Sequence, residues 1–222
     1  MKAMILAAGR GERMRPLTDH LPKPLLAVGG KPLIQHHIEK LKTAGITELV
    51  INHAWLGHNL MEYLGNGSAF GVTIRWSAEG DSGLETAGGI RQALTLLGHE
   101  PFLVVNGDIW IDTDYRQFST FRLAEQDHAH VWLVDNPPQH PQGDFSLSGD
   151  RVEDRPGLTF SGVGIYRPHS FLVLQPGVHK LAPLLRQWMQ EQRVAGSHLK
   201  ADWRDIGTPQ RLHELDQELQ RG

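Results

Sequence analysis

Short apolar runs alternate with helical patterns along the first half of the chain. Residues 4–8 form an apolar run that ends at Gly9, Arg10 and Gly11, which is typical of a buried strand leading into a glycine-rich loop. Apolar residues recur at helical spacing within residues 31–44, which predicts an amphipathic helix. Further strands are predicted at 48–52, 72–77 and 102–106, and a further helix at 86–97. This alternation predicts a mostly parallel sheet covered by helices, the α/β class.

The second half of the chain has shorter elements separated by turns. Hairpin-sized turns favour antiparallel strands, so we expect a mixed sheet that stays mostly parallel. The chain has 222 residues, of which 40% are hydrophobic, and this predicts a single domain over 1–222. Helices are predicted at 114–126, 180–192 and 209–221, strands at 129–134, 145–147, 151–153 and 158–166, a proline-rich turn at 136–141 and a loop at 202–208.

Composition narrows the classes of function. The 22 Lys and Arg residues and 25 Asp and Glu residues give a net charge of −3, which argues against a nucleic-acid partner. The chain has no cysteine, which excludes disulfides, thiolate catalysis and Cys-ligated metals. The apolar run at the N-terminus is too short for a signal peptide or a membrane span. We therefore expect a cytoplasmic protein that acts on small molecules, without a membrane partner.

The glycine-rich loop carries the strongest chemical signal. Glycines allow backbone N–H groups to approach phosphates, and the loop is followed by the cations Arg13, Arg15 and Lys23. It lacks the Gly-Lys-Ser/Thr of a Walker A loop, and Met14 stands where the dinucleotide fingerprint needs its third glycine. Two glycines alone leave a purely structural turn as an equal alternative.

The residues after the glycines extend this signal into a long match. Gly9, Gly11, Arg13, Pro16, Thr18, Pro22, Lys23 and Pro24 resemble the signature G-x-G-x-R-x-x-P-x-T-x-x-x-P-K-P of sugar-1-phosphate nucleotidyltransferases. The resemblance implies a Rossmann-like, three-layer α/β/α fold of the nucleotide-diphospho-sugar transferase type. It also implies a nucleotide-binding half, 1–110, and a half, 111–222, that binds the sugar and ends in the last helix.

Two carboxylates are candidates for a metal site. Asp108 follows the predicted strand 102–106, at an edge where open α/β sheets bind ligands, although Asn-Gly-Asp is also an ordinary turn sequence. The segment Trp-Arg-Asp-Ile-Gly-Thr-Pro at 203–209 resembles a second family motif. By this resemblance Asp108 and Asp205 hold Mg²⁺, which prefers oxygen ligands. Asp202 is a competitor, but strand alternation would direct it away from Asp205.

The resemblance also assigns substrate contacts. Arg13 and Lys23 are the expected catalytic residues, on the β/γ-phosphates and the α-phosphate respectively. Glu85 replaces a commoner glycine and could line the pocket or cap a helix. The expected nucleotide-binding residues are Ala8, Gly9, Gly11, Glu12, Arg13, Lys23, Glu79, Thr86, Gly88 and Asn106, and the expected sugar-binding residues are Gly143, Asp144, Glu153, Ser161 and Gly162.

The implied reaction joins a nucleoside triphosphate to a sugar 1-phosphate and releases pyrophosphate. Within the family, the resemblance favours UTP and N-acetylmuramic acid 1-phosphate as substrates, in bacterial cell-wall recycling. Alternatives are thymidylyl or guanylyl transfer to glucose or mannose 1-phosphate, and a non-catalytic binder of sugar nucleotides. The retained charges of Arg13, Lys23, Asp108 and Asp205 argue against a binder. The sequence does not predict the oligomeric state.

Overall fold

A central sheet organises the chain, and the computed structural model describes residues 1–221. Along its path β11-β8-β10-β6-β1-β4-β5, six strands point the same way and β10 runs against them. The predicted mixed, mostly parallel α/β sheet is therefore confirmed. The strands are β1 (Ala3–Leu6), β2 (Ala27–Val28), β3 (Lys31–Pro32), β4 (Glu48–His53), β5 (Thr73–Ala78), β6 (Phe102–Asn106), β7 (Ile109–Asp112), β8 (Ala129–Val134), β9 (Phe145–Ser148), β10 (Arg151–Tyr166), β11 (Val194–His198) and β12 (Asp202–Asp205).

Most of the helices pack apolar faces against this sheet. The helices are α1 (Leu33–Thr43), α2 (Gly57–Leu64), α3 (Glu85–Leu97), α4 (Arg116–Ser119), α5 (Leu181–Gln190) and α6 (Pro209–Arg221). Helix α6 packs against β2 instead. In α1, every apolar residue at the predicted helical spacing is buried, because that stripe faces the core. None of the helices in residues 1–221 combines the length and apolar character needed to cross a membrane.

Several predicted elements were wrong. The predicted helix 114–126 is helical only in α4. Beyond it Phe121 packs against His130 of β8, with ring centroids 4.0 Å apart and the rings tilted by 39°. The strands predicted at 151–153 and 158–166 form one bulged strand, β10. The predicted loop 202–208 contains β12, which pairs with the unpredicted strand β7. Strand β11 and helix α2 were also missed.

Three apolar clusters surround the sheet, and the smallest one positions the glycine-rich loop. This third cluster joins residues from the loop, from the β7–β12 ribbon and from α6, so distant parts of the chain share one packing unit. Its buried members are Met14, Leu26, Val28, Leu33, Trp110, Ile206 and Leu215. Because Met14 and Ile206 belong to this one cluster, the region of Arg13 lies near the region of Asp205.

Candidate active site

A cavity of about 660 Å³ opens where β1, β4 and β6 end. Carboxyl ends of parallel strands are the usual ligand-binding edge of an open α/β sheet, and this volume suits a nucleotide. Of the nucleotide-binding residues predicted above, all but Gly88 line the cavity, and so does Asp108. The structure therefore brings both predicted catalytic residues, Arg13 and Lys23, to one place.

The backbone of the glycine-rich loop is held by contacts with residues that follow it in the sequence. Gly11 has φ +64°, and a Cβ there would lie 2.9 Å from the Thr18 side chain. Thr18 is buried and its hydroxyl donates to the Gly11 carbonyl at 2.8 Å, while the Met14 N–H donates to the same oxygen at 2.8 Å. Among the described residues, the Arg13 guanidinium forms neither a hydrogen bond nor an ion pair. The loop is thus fixed by its uncharged residues and leaves Arg13 available for an anion.

Lys23 and Asp108 form an ion pair inside the cavity. The Lys23 Nζ donates to Asp108 Oδ2 at 2.7 Å, and Lys23 is buried whereas the Asp108 side chain is 46% exposed. A buried ammonium group needs a partner, because desolvation without one is costly. Asp108 therefore holds Lys23 in the cavity while keeping one carboxylate oxygen accessible.

Asp205 lies beside Asp108 along the backbone but faces another way. In the β7–β12 ribbon Asp205 pairs with Ile109, and the Ile206 N–H donates to the Asp108 carbonyl at 3.0 Å. The Asp205 carboxylate accepts hydrogen bonds from Gln139 at 2.6 Å and Arg211 at 2.5 Å, in the wall of a second cavity of about 640 Å³. The two predicted metal ligands are adjacent in register, and each is paired with a cation.

Gly207 lies where Asp205, Arg211 and Arg13 meet. A Cβ at Gly207 would lie 2.8 Å from Asp205 Oδ2, 3.0 Å from an Arg211 nitrogen and 3.5 Å from an Arg13 nitrogen. Asp202, the competing carboxylate, is bound by Arg204 instead. Within residues 1–221, no cluster of three or more His, Cys, Asp and Glu side chains could hold a metal by itself. A metal here would draw its other ligands from phosphates and water, as Mg²⁺ commonly does.

A buried polar network supports the opposite wall of the cavity. Glu79 accepts hydrogen bonds from Asn52 Nδ2 at 2.6 Å and from the Leu84 N–H at 2.7 Å. Asn52 Oδ1 in turn accepts from the Ala7 N–H at 2.7 Å. Burial raises the pKa of Glu79, and these donors to its carboxylate oppose the rise. Glu79 lines the cavity, but both of its oxygens already have partners within the protein.

Backbone N–H groups in the first turn of α3 are hydrogen-bonded by another loop, the one that contains His179. The N–H groups of Ala87 and Gly88 donate to the His179 carbonyl at 2.9 and 3.1 Å. A Cβ at Gly88 would lie 2.3 Å from the Gly177 carbonyl oxygen, so this glycine allows close packing behind the cavity. Gly88 therefore contacts the loop rather than the cavity, and its predicted nucleotide contact stays a prediction.

The five predicted sugar-binding residues line neither of the two cavities. Gly162 packs closely on the side chain of Asn106, and the buried Ser161 accepts a hydrogen bond at its carbonyl from Trp203 Nε1 at 2.8 Å. Asp144 accepts from the Phe160 N–H at 2.8 Å, Glu153 pairs with Arg155, and Gly143 packs against Asn136. Ser161 and Gly162 thus lie behind the cavity wall, whereas the other three belong to the β9–β10 hairpin region.

The sequence pattern of the nucleotidyl transferase family matches residues 2–145. The chain belongs to this family. An N-acetylmuramate alpha-1-phosphate uridylyltransferase of Neisseria meningitidis is 59% identical, with 96% of each chain covered. The enzyme of the same name in Caulobacter vibrioides is 34% identical, with 94% of this chain and 92% of that one covered. A Bacillus anthracis structure assigned as a glucose-1-phosphate thymidylyltransferase has a TM-score of 0.88 at 23% identity, covering 99% of this chain and 95% of that one.

Sequence reasoning missed several residues that build the site of this nucleotidyl transferase. Asn52 is a polar residue near the end of a buried strand, a signal that was available in the sequence. Gly207 lies in the Trp-Arg-Asp-Ile-Gly-Thr-Pro segment, but its close contacts with Asp205 and Arg211 depend on the tertiary structure. Gln139 and Arg211 reach Asp205 from sequence positions that no local pattern connects to it.

Proposed function

We propose that this nucleotidyl transferase moves a uridylyl group from UTP to N-acetylmuramic acid 1-phosphate, releasing pyrophosphate. The observation that carries the chemistry is that Arg13, which has no side-chain partner among residues 1–221, lies with the Lys23–Asp108 pair in one cavity at the sheet edge. The choice of base and sugar is supported by the uridylyltransferases that are 59% and 34% identical over nearly the whole chain. The cytoplasmic location and the role in cell-wall recycling are part of this proposal.

The geometry favours direct displacement at the α-phosphorus. An oxygen of the sugar phosphate forms the new bond to phosphorus, the bond to the bridging oxygen breaks, and pyrophosphate leaves with the electron pair. Within residues 1–221 Arg13 has no competing partner, so it can neutralise the leaving phosphates. Lys23 can exchange its Asp108 partner for an α-phosphate oxygen without moving far, because its Nζ already lies in the cavity.

Asp108 and Asp205 fit a magnesium site by their chemistry. Both supply hard carboxylate oxygens, Asp108 from the residue before β7 and Asp205 from the last residue of β12. Magnesium, when bound, would neutralise phosphate charge and polarise the bond that breaks. Gln139 and Arg211 would orient the Asp205 carboxylate from the side of the second cavity.

The proposal is tested by measuring pyrophosphate release from UTP and N-acetylmuramic acid 1-phosphate. The same assay is run with dTTP and GTP as alternative nucleotides and with glucose 1-phosphate and mannose 1-phosphate as alternative sugars. Asp108→Asn, Asp205→Asn and Arg13→Gln should each lose about 10²- to 10³-fold in rate, because the first two each remove a proposed magnesium ligand and the third removes the cation that neutralises the phosphates. Arg15→Gln and Asp202→Asn are matched controls, since Arg15 pairs with Asp19 and Asp202 pairs with Arg204 outside this arrangement.

Near-normal activity in Asp108→Asn or Asp205→Asn would remove that residue from the mechanism. Faster release with dTTP and glucose 1-phosphate would overturn the assigned substrates and leave the reaction class standing. No release with any pair would leave a sugar-nucleotide binder as the function.

A further inference from the structure

The β7–β12 ribbon has an outer edge, on the side of β7 that faces away from β12. Among the described strands, β7 pairs only with β12. The Asp108 carbonyl points towards β12, because it accepts from the Ile206 N–H at 3.0 Å. Carbonyl directions alternate along a strand, so the carbonyls of Ile109 and Ile111 point away from β12. Both residues are buried, and a buried carbonyl needs a donor.

Helix α1 supplies donors to both of these carbonyls. His37 Nε2 lies 2.9 Å from the Ile109 carbonyl oxygen, and Lys40 Nζ donates to the Ile111 carbonyl. Residues three apart lie on one face of a helix, and carbonyls two apart lie on one edge of a strand, so both contacts form together. Most buried apolar residues of α1 share one apolar cluster with residues of β1 and β4. Helix α1 therefore attaches the outer edge of the ribbon to the central sheet.

His37 is the polar exception on the buried face of α1. The other four buried residues of the helix are apolar. Burial lowers the pKa of His37 to about 4, so at neutral pH the ring is neutral and one of its nitrogens carries the hydrogen. A carbonyl only accepts, so that hydrogen is on Nε2, and Nδ1 accepts from the Tyr115 hydroxyl at 2.8 Å. His37 therefore donates its one ring N–H to the backbone of β7.

The Ile109 carbonyl lies next to both proposed metal ligands. Ile109 follows Asp108 in the chain and is paired in register with Asp205. Because Asp108 is also the partner of Lys23, a displacement of Ile109 would disturb the lysine as well as the two carboxylates. His37 itself lies outside both cavities, so it acts on the reaction through this backbone contact and not by touching a substrate.

We infer that His37 is a positioning residue for nucleotidyl transfer, because its bond to the Ile109 carbonyl fixes the relative position of the Asp108 and Asp205 carboxylates. The inference rests on the proposed function, in which these two carboxylates hold magnesium. A histidine that only filled the core would stabilise the ribbon and the central sheet alike. A positioning histidine affects the ribbon more than the sheet, and this difference can be measured.

Amide hydrogen exchange in the metal-free protein measures the ribbon directly. Ile206 is the reporter, since its N–H donates to the Asp108 carbonyl, and Leu103 of the central sheet, whose N–H donates to the Lys2 carbonyl at 3.0 Å, is the reference. His37→Leu should raise the exchange rate at Ile206 about 10-fold relative to Leu103, as expected for the loss of one hydrogen bond. His37→Gln should restore slow exchange, because its amide can donate from near the position of Nε2, whereas His37→Asn places its amide near Nδ1 and should not.

Binding of a divalent cation is the second readout. Mn²⁺ is the probe, added with a UTP analogue whose α–β bridging oxygen is replaced by methylene so that no turnover occurs. Free Mn²⁺ is followed by electron paramagnetic resonance against the same mixture without protein. His37→Leu and His37→Asn should weaken Mn²⁺ binding about 10-fold, as is typical when a group that orients metal ligands is lost, and His37→Gln should bind it nearly as the wild type does.

Tyr115→Phe is the matched control. It removes the other hydrogen bond of His37 and leaves the bond to Ile109. It should therefore lower the urea midpoint without changing the Ile206/Leu103 exchange ratio or the Mn²⁺ affinity. If His37→Leu does not fold, His37→Asn and His37→Gln give the same comparison with polar side chains.

An unchanged exchange ratio in His37→Asn and in folded His37→Leu would overturn the inference. Equal changes of the ratio in Tyr115→Phe would also overturn it, because they would assign His37 a general structural role. Pyrophosphate release by the wild type tests the proposed function separately, because the exchange ratio needs neither substrate nor metal.

Discussion

Gly89 offers a direct way to test how the cavity wall is supported. It lies in α3, and a Cβ there would lie 2.2 Å from Glu79 Oε1 and 3.1 Å from Asn52 Nδ2. Glu79 cannot yield cheaply, because it is buried and both of its oxygens accept hydrogen bonds. Gly89→Ala should therefore displace the carboxylate and break the network.

The size of the effect follows from the bonds that are lost. Two hydrogen bonds to a charged group contribute about 1.5–3 kcal/mol each, whereas Ala in place of Gly stabilises a helix by about 1 kcal/mol. The free energy of unfolding should fall by about 2–5 kcal/mol, measured by urea denaturation. The KM for UTP should rise as well, since Asn52 also holds the Ala7 N–H next to the glycine-rich loop.

The Glu79→Ala background provides the control. Without the Glu79 carboxylate the new methyl group has room, so Gly89→Ala should then stabilise the protein by up to about 1 kcal/mol. An equal loss of stability in both backgrounds would refute the steric explanation, because it would place the cost of the methyl group outside the contact with Glu79.

Two other features of the structure give predictions. Gly207→Ala should push Asp205 away from Arg211 and lower the rate of pyrophosphate release at least about 10-fold with little change in urea stability, since the contact is between side chains in the site; an unchanged rate would contradict it. Burial lowers the pKa of His37 and of His130 from 6.5 to about 4. Between these pH values each histidine binds a proton in the unfolded chain but not in the folded one, so a fall in pH favours unfolding. Stability should fall by about 1.4 kcal/mol per pH unit for each histidine, and equal urea midpoints at pH 7 and pH 5 would contradict it.

The first half of the fold was predictable because its elements are defined by local patterns. Apolar runs gave β1, β4, β5 and β6 within about two residues, and the helical spacing within 31–44 gave α1. The glycine-rich loop was predictable for a related reason. Its glycines and cations are close in sequence, so the sequence alone predicts that they lie together, and the structure places most of them in the wall of one cavity.

The β7–β12 ribbon was not predictable from local pattern. β12 contains Asp202, Arg204 and Asp205, so its sequence lacks the alternation of apolar and polar residues that predicts a strand. Its pairing with β7 connects residues about ninety positions apart, and the buried partners Ile111 and Trp110 determine it. The same holds for Gly88 and Gly89, whose backbone contacts become visible only once Gly177 and Glu79 are in place.

The pairing of Lys23 with Asp108 changes how loss of Asp108 should be interpreted. Lys23 is buried, and the Asp108 carboxylate is its hydrogen-bond partner at 2.7 Å. Asp108→Asn therefore removes a proposed metal ligand and also leaves a buried ammonium group without a counter-charge, which is strongly unfavourable. Asp205 differs, because its partner Arg211 is half-buried and can turn to solvent. Asp205→Asn is thus the cleaner test of the metal site, and an Asp108→Asn defect that exceeds it measures the contribution of Lys23 as well.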